Sequence, residues 1–511
     1  SFRRACLSET AVKEEPVELT VANERQPRDI GRAARQGGAW AVITYSFTKV
    51  TGFASSIVLA RILMPEHFGL IAMVNTVLGL VQMLGNCGIG FALIHQRKDV
   101  QEHANTTWWL DLISGVVLFA LANALAPAAA LYYREPYVRL LIVVASANFL
   151  IAPIGGTMGL LLSRELRFKE TAKIDLAGGS VTSSLTIVFA LLGAGVWSFV
   201  LPGLASTAVV VALRWRKCSF RPRRAVCWRL ARKLLGFGRS VFGASVFDYI
   251  NQNVDYILVG MLMGGRELGF YIFAYTLGVW VVQNVSATVS SVAFPTFASV
   301  QDDPARARAM FLKLIRMISL IGFPIVCLQW ALAQLYVSSI YGDKWLPSVT
   351  AFRLIALYGI GRAVCAPGST LIAALGRPDI SLKLSAGISP VLIASVIVGS
   401  RYGMNGVAAA TAAAHGLFVW LYVVVPFRIL RWNPVEAARA LWPAFLSSAA
   451  AAAVTGWVYQ GLGSPVDSLG LLAALLALGA CLYIGLLALA FRGPSQETIV
   501  LLRTTLRESR A

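Results

Sequence analysis

The chain has 511 residues, of which 57% are hydrophobic and only 14% charged, with a mean hydropathy of +0.68. Soluble domains carry about 25% charged residues, so this composition excludes an ordinary soluble globular protein. The formal net charge of +20 would suggest a nucleic-acid partner, but the positions of the charges argue against one.

Apolar runs long enough to cross a bilayer recur along the chain, the pattern of a helical integral membrane protein. Residues 1–37 read as a charged cytoplasmic tail without a cleavable signal pattern. Fourteen spans follow, at 38–63, 68–93, 105–131, 137–161, 172–192, 195–214, 239–262, 269–295, 311–339, 349–374, 381–400, 404–427, 440–460 and 468–491. Gly, Pro and Asn mark many connections, such as "MPEH" at 64–67 and "MGGRELG" at 263–269.

Lys and Arg fall almost wholly on one side of this arrangement. Thirty-six of the 45 lie in the two tails and the connections that share their side. Five, Arg134, Arg139, Arg266, Lys344 and Arg401, lie on the other. The positive-inside rule then places both termini in the cytoplasm, and the basic excess is topological rather than a nucleic-acid footprint. Ten of these cations stand at 214–239. That stretch reads either as a stop-transfer connection between two halves or as an amphipathic helix on anionic lipid.

The seven cysteines are scattered, odd in number and lack a CxxC, so neither a disulfide framework nor a metal site is expected. No GxxxxGK[ST] loop is present, and no cofactor is expected.

An internal repeat links "LARILMPEHFGLIA" (59–72) with "LVGMLMGGRELGFYIFA" (258–274) at an offset of 199 residues. An even number of spans separates the copies, so the repeat is parallel. Two six-helix lobes and two further C-terminal helices account for the fourteen spans. The corresponding segments are a tail at 1–37, an N-lobe at 38–214, a basic linker at 215–238, a C-lobe at 239–430, the last two spans within 431–491 and a tail at 492–511.

The seventh span contains "VFDYINQNVDYILVGML", residues 246–262. At about 100° per residue, Asp248, Asn251, Gln252 and Asp255 share an arc of about 100°, and Asn253 lies outside it. Carboxylates facing lipid cost at least a few kcal/mol, so this stripe is expected to face protein or a wet cavity. The offset of 199 pairs Asp248 with Lys49, in "YSFTKVTGFASS" (45–56). The two residues can line one cleft across a pseudo-two-fold axis; the alternatives are a permanent buried pair or two separately solvated residues. Arg362, beside Gly and Pro in "GIGRAVCAPGS", is expected to face a cavity, and Arg353 to reach the outer interface. Asp111 reads equally as interfacial or functional. Gln283, Asn284 and Gln329 fit interhelical bonding, His415 fits packing, and "SSAAAAAVTG" (447–456) fits a packing face.

The segment from "GFASSIVLARILMPEHFGLIA" to "GIGFALIHQ" resembles the opening of the polysaccharide-transport branch of the multidrug/oligosaccharidyl-lipid/polysaccharide exporter superfamily. "LLSRELRFKETAKID" (161–175) and "NVDYILVGMLMGGRELGFYIFAYTL" are similar to the same branch. The resemblance covers about residues 38–430. It implies a V-shaped bundle of two six-helix lobes in a bacterial inner membrane. It also implies a flippase, not an enzyme, that moves a polyprenyl-pyrophosphate-linked oligosaccharide to the outer leaflet, with a polymerase and glycosyltransferases as pathway partners.

On that reading Lys49 and Arg362 meet the pyrophosphate. Tyr45, Tyr249, Asn251, Gln252 and Tyr256 line the polar cavity, and Asp248 and Asp255 serve as gate or ion-coupling groups. Alternatives are a cation-coupled multidrug exporter of the same superfamily, a membrane glycan polymerase or ligase, and a scaffold without transport. Lys49 and Arg362 argue against the exporter, whose cavity should be acidic. The short outer connections argue against the polymerase or ligase. The repeat and polar stripe argue against the scaffold.

Overall fold

The computed structural model describes residues 27–85, 100–223, 228–299, 303–375, 377–430, 432–462 and 468–490. They form α1 (Pro27–Ile62), α2 (Pro65–Gly85), α3 (Val100–Tyr133), α4 (Pro136–Ala145), α5 (Asn148–Arg164), α6 (Phe168–Leu191), α7 (Trp197–Lys217) and α8 (Trp228–Ser299). There follow α9 (Pro304–Ala331), α10 (Ala333–Tyr341), a 3-10 turn at Asp343–Ser348, α11 (Val349–Ala374), α12 (Pro378–Ser400), α13 (Gly403–Ile429), α14 (Pro434–Gly461) and α15 (Leu469–Ala490).

Proline sets many of these starts. Pro65, Pro136, Pro304, Pro378 and Pro434 each open a helix, where the missing N–H has no intrahelical partner to lose. Asp303 and Asn433 add side-chain caps: Asp303 accepts from the N–H groups of Ala305 and Arg306, both at 3.1 Å, and Asn433 from Val435 at 3.0 Å. Prolines such as Pro153, Pro202 and Pro390 lie inside helices, as membrane helices tolerate where neighbours meet the freed backbone groups.

Among the described residues, eleven helical stretches are long and apolar enough to cross a membrane. The chain is therefore an all-helical, multi-pass membrane protein. Three of the fourteen expected spans are not separately among the eleven: α1, α11 and the second arm of α8, whose first arm and turn join it in one stretch, Tyr249–Trp280.

The chain divides into two compact units, Ser1–Tyr249 and Ile250–Ala511, with the boundary inside α8. In the first, α1 packs on α6, α6 on α7, and α5 on both α3 and α7. Its core includes Trp108, Met158, Leu161, Leu162 and Ile174. The indoles of Trp108 and Trp215 both donate to the carbonyl of Ile154, at 3.1 and 3.0 Å. Asp111 accepts from Thr157 at 3.3 Å, joining α3 to α5. Residues 218–223 of the basic linker are not helical: the N–H of Arg223 donates to Asn105 at 2.5 Å and its carbonyl accepts from Trp109 at 2.8 Å. Residues 218–223 are thus pinned to α3 before α8 begins.

In the second unit α11 packs on α9 and α13, and α12 on α13. The Gly399–Gly406 crossing brings the backbones of α12 and α13 so close that a Cβ at either glycine would overlap the other's carbonyl. The last two helices belong to this unit: α14 lies along α9, and α15 along α14. Within the small-residue tract, Ser448 and Thr455 return their hydroxyls to their own helix, at 2.6 Å each. One end of the unit is an aromatic cluster in which Phe273 stacks on the buried Trp345 at 4.0 Å. Arg353 donates to the Trp330 carbonyl at 3.2 Å and lies over its ring. His415 is half-buried beside Tyr358, with ring centroids 4.5 Å apart.

Candidate functional site

The residues of the seventh-span polar stripe lie on the first arm of α8. That helix has one non-helical residue, Gly264, with φ 84° and ψ −179°. Positive φ is a conformation that glycine adopts without a Cβ penalty, and here it lets the chain double back. Gln252 and Gln283, 31 positions apart in sequence, consequently line one cavity. The offset of 199 maps Pro65, the first residue of α2, onto Gly264. The helix break therefore falls at the same place in both copies of the repeat.

The stripe does not act as one surface. Asn251 reaches α12, where its amide donates to the carbonyl of Ser385 at 2.9 Å and its oxygen accepts from Ser389 at 2.7 Å. Asp255 is 4% exposed; it accepts from the Tyr271 hydroxyl at 2.9 Å and from the N–H of Tyr256 at 2.9 Å. Gln252 and Tyr256 instead line a cavity of about 270 Å³ together with Asn253, Tyr275, Thr276, Val279, Trp280 and Gln283. At about 100° per residue, Gln252, Tyr256 and Asn253 sit at about 40°, 80° and 140° from Asp248. The expected single arc is thus split into two faces. The helix has two neighbours to satisfy, α12 on one side and its own second arm on the other.

The cavity wall is aromatic and amidic. Tyr256 and Tyr275 stand with centroids 5.5 Å apart at 82°, and Tyr256 and Tyr271 at 6.1 Å and 75°. Gln252, Thr276 and Gln283 are exposed, while Asn253, Tyr256, Tyr275 and Trp280 are half-buried. Asn284, beside Gln283, turns back to the Trp280 carbonyl at 2.6 Å. Asn253, Tyr275, Thr276 and Trp280 were not legible as site residues. Asn253 lies outside the expected arc, and the other three are spaced four apart or adjacent only once the second arm is known to face the first.

In the first unit, Tyr249 donates its hydroxyl to the carbonyl of Thr76 and lies over Gly79, where a Cβ would stand 3.0 Å from the phenol oxygen. Lys49 is half-buried on α1, next to Thr48, whose side chain lies near Gly179 of α6. The side chains of Tyr45, Asp248 and Arg362 lie outside the described residues. Among the described residues no group of His, Cys, Asp and Glu is arranged to hold a metal ion.

Residues 58–350 match the family model described as "Polysaccharide biosynthesis protein". The chain is 26% identical over 356 residues to the teichuronic acid biosynthesis protein TuaB of Bacillus subtilis (strain 168), covering 69% of this chain and 72% of that one. It is 26% identical over 368 residues to the lipopolysaccharide biosynthesis protein WzxC of Escherichia coli (strain K12), covering 71% and 75%. With the succinoglycan biosynthesis transport protein ExoT of Rhizobium meliloti (strain 1021) it shares 24% over 333 residues, 65% and 67% of the two chains. Among solved structures, the lipid II flippase MurJ in an inward closed conformation superposes with a TM-score of 0.71, at 13% identity, over 88% of this chain and 98% of that one. An inward-facing MATE family multidrug transporter of the MOP superfamily gives 0.56, at 16% identity, over 78% and 99%. These relatives and neighbours that carry a named activity are transporters and flippases, not enzymes. The chain belongs to the family described as "Polysaccharide biosynthesis protein", and its fold is that of MurJ and of the MATE transporter.

Proposed function

We propose that the chain flips a polyprenyl-pyrophosphate-linked oligosaccharide from the cytoplasmic to the outer leaflet of a bacterial inner membrane by alternating access. One observation carries this reading: a cavity of amides and phenols, with no charged side chain among the described residues that line it, lies between two arms of a membrane helix. Hydrocarbon excludes hydroxyl-rich sugars, because each unpaired polar group costs several kcal/mol, and such a wall replaces their water. The names of WzxC, ExoT and MurJ, in a chain of the same family or fold, point to the same cargo class.

In this reading Lys49 and Arg362 neutralise the pyrophosphate. Gln252 and Tyr256 meet sugar, with Tyr45 and Tyr249 nearby in the sequence pattern, while Asn251 holds α8 to α12. Asp248 and Asp255 couple the cycle to an ion gradient or gate it. The full topology is fourteen spans in two parallel six-helix repeats and a C-terminal pair, with both ends in the cytoplasm. A pathway polymerase and glycosyltransferases would supply and consume the cargo. A multidrug exporter of organic cations would favour carboxylates in the cavity wall, and the described lining residues include none.

The test is leaflet-resolved. Vesicles containing the purified chain and a short-chain polyprenyl-pyrophosphate oligosaccharide should expose the sugar to an external lectin faster than protein-free vesicles. Equal rates, together with efflux of a cationic dye, would replace the flippase reading with the exporter reading.

A further inference from the structure

We propose that the cavity between the two arms of α8 is a subsite for one uncharged sugar ring. The proposal deepens the flippase reading and rests on it for the source of the ring. Its volume, about 270 Å³, falls just below the range of roughly 300–1,000 Å³ typical of small-molecule sites, which suits one ring with its chain continuing outward rather than a whole oligosaccharide.

The wall matches the two chemistries of a pyranose. Its C–H faces are apolar and pack on aromatic rings; its hydroxyls each donate and accept. Tyr256 and Tyr275 supply rings set at 82°, so a ligand lying on the face of one meets the edge or hydroxyl of the other. Trp280 adds an indole on the same wall. Gln252, Asn253 and Gln283 each carry both a donor and an acceptor, as hydroxyl recognition requires. Gln252 and Gln283 are exposed within expected membrane spans, where facing lipid would be costly, so they face water or a ligand.

The wall also sets a preference. Among the described residues, no Asp, Glu, Lys, Arg or His lines the cavity. The neighbouring carboxylate, Asp255, is turned away and held by Tyr271. A uronate or an amino sugar entering the cavity would find no counter-charge and would lose its hydration. The ring selected is therefore neutral.

The test uses the full chain in lipid nanodiscs free of glycoside detergents, probed by saturation-transfer NMR. Methyl β-D-glucoside and methyl β-D-galactoside serve as neutral probes, and methyl β-D-glucuronide as the charged one. The expected result is transfer to at least one neutral glycoside and roughly tenfold weaker binding of the glucuronide. Tyr275→Ala and Gln252→Ala should each weaken the neutral probe by roughly fivefold or more. If Tyr275→Ala does not insert, the exposed Gln252 carries the comparison. Absence of transfer to either neutral probe, transfer unchanged in the inserted variants, or equal binding of the glucuronide would overturn the subsite. The measurement needs no transport. Glycoside binding without lipid flipping would leave the subsite and remove the flippase, and flipping without glycoside binding would do the reverse.

Discussion

The hydroxyl of Tyr271 donates to the carboxylate of Asp255 at 2.9 Å across the two arms of α8, with both side chains buried. A carboxylate kept from water needs donors, and here they include this phenol and a backbone N–H. Tyr271→Phe removes a donor and leaves the acceptor in place, an asymmetry that costs about 1–3 kcal/mol. The variant should unfold at a lower temperature in detergent. Asp255→Asn keeps an acceptor for the phenol and should be closer to the parent in stability. If Asp255 carries a coupling proton or cation, Asp255→Asn should also make flipping insensitive to an imposed ion gradient. Unchanged gradient dependence would confine Asp255 to holding the arms together.

Asn251 predicts a different outcome. Its amide joins α8 to α12 through Ser385 and Ser389. Asn251→Ala should therefore cost about 0.5–2 kcal/mol of stability, while Ser389→Ala should cost less, since the Ser385 carbonyl remains. A double-mutant cycle should give a coupling of at least about 0.5 kcal/mol between the two side chains. Additive losses would mean that the Ser389 bond contributes nothing and that the amide is held by the Ser385 carbonyl alone.

How much of this was legible follows from two kinds of signal. Proline starts, glycine breaks and Lys/Arg asymmetry are local. Pro65, Pro304 and Pro434 could be read as helix starts because a ring that fixes φ and lacks an N–H acts on its own residue. Gly264 could be read as a break because its partner in the repeat, Pro65, is one. The cavity was not legible. Tyr275 and Trp280 look like ordinary apolar-span aromatics until Gly264 folds their arm onto Gln252 and Tyr256. The wheel argument did not tell which of Asn251, Gln252 and Asn253 meets which neighbour, for the same reason. It assigns one interior face to a helix, whereas α8 meets α12 with one side and its own continuation with another.

Cys218 gives a pH prediction outside the membrane spans. It is buried between the end of α7 and the pinned linker, with its carbonyl accepting from Arg221 at 2.7 Å. Burial is the main cause that raises its thiol pKa above the usual value. A raised pKa means less thiolate at neutral pH, so maleimide labelling of Cys218 should be slow at pH 7 and accelerate as pH rises beyond the ordinary thiol range. Arg221→Ala, which frees the linker, should speed labelling at pH 7 more than at high pH. Rapid labelling of the parent at pH 7 would mean that residues 218–223 do not stay docked.

The last prediction concerns charge at the repeat's equivalent positions. Lys49 and Asp248 stand 199 residues apart, the same offset that relates Pro65 to Gly264. Each lies on the helix that precedes its copy of the break. We propose that the two charges pair in one state of the cycle and separate in another, with the substrate's pyrophosphate competing for Lys49. Such a pair contributes only if its remaining hydrogen bonds are met. It can drive a population shift because each state then offers the ligand different contacts. Lys49→Ala should leave the chain inserted and abolish glycan export, as should Arg362→Ala. Lys49→Arg should retain part of the activity, since the charge survives while its shape changes. The combined swap Lys49→Asp with Asp248→Lys separates the two roles. If the residues act only as a pair, it should recover export that both single changes lose. If Lys49 must also meet pyrophosphate, recovery should be incomplete. Full export by Asp248→Asn would end the gate, and full export by both alanine variants would end the cationic head-group site.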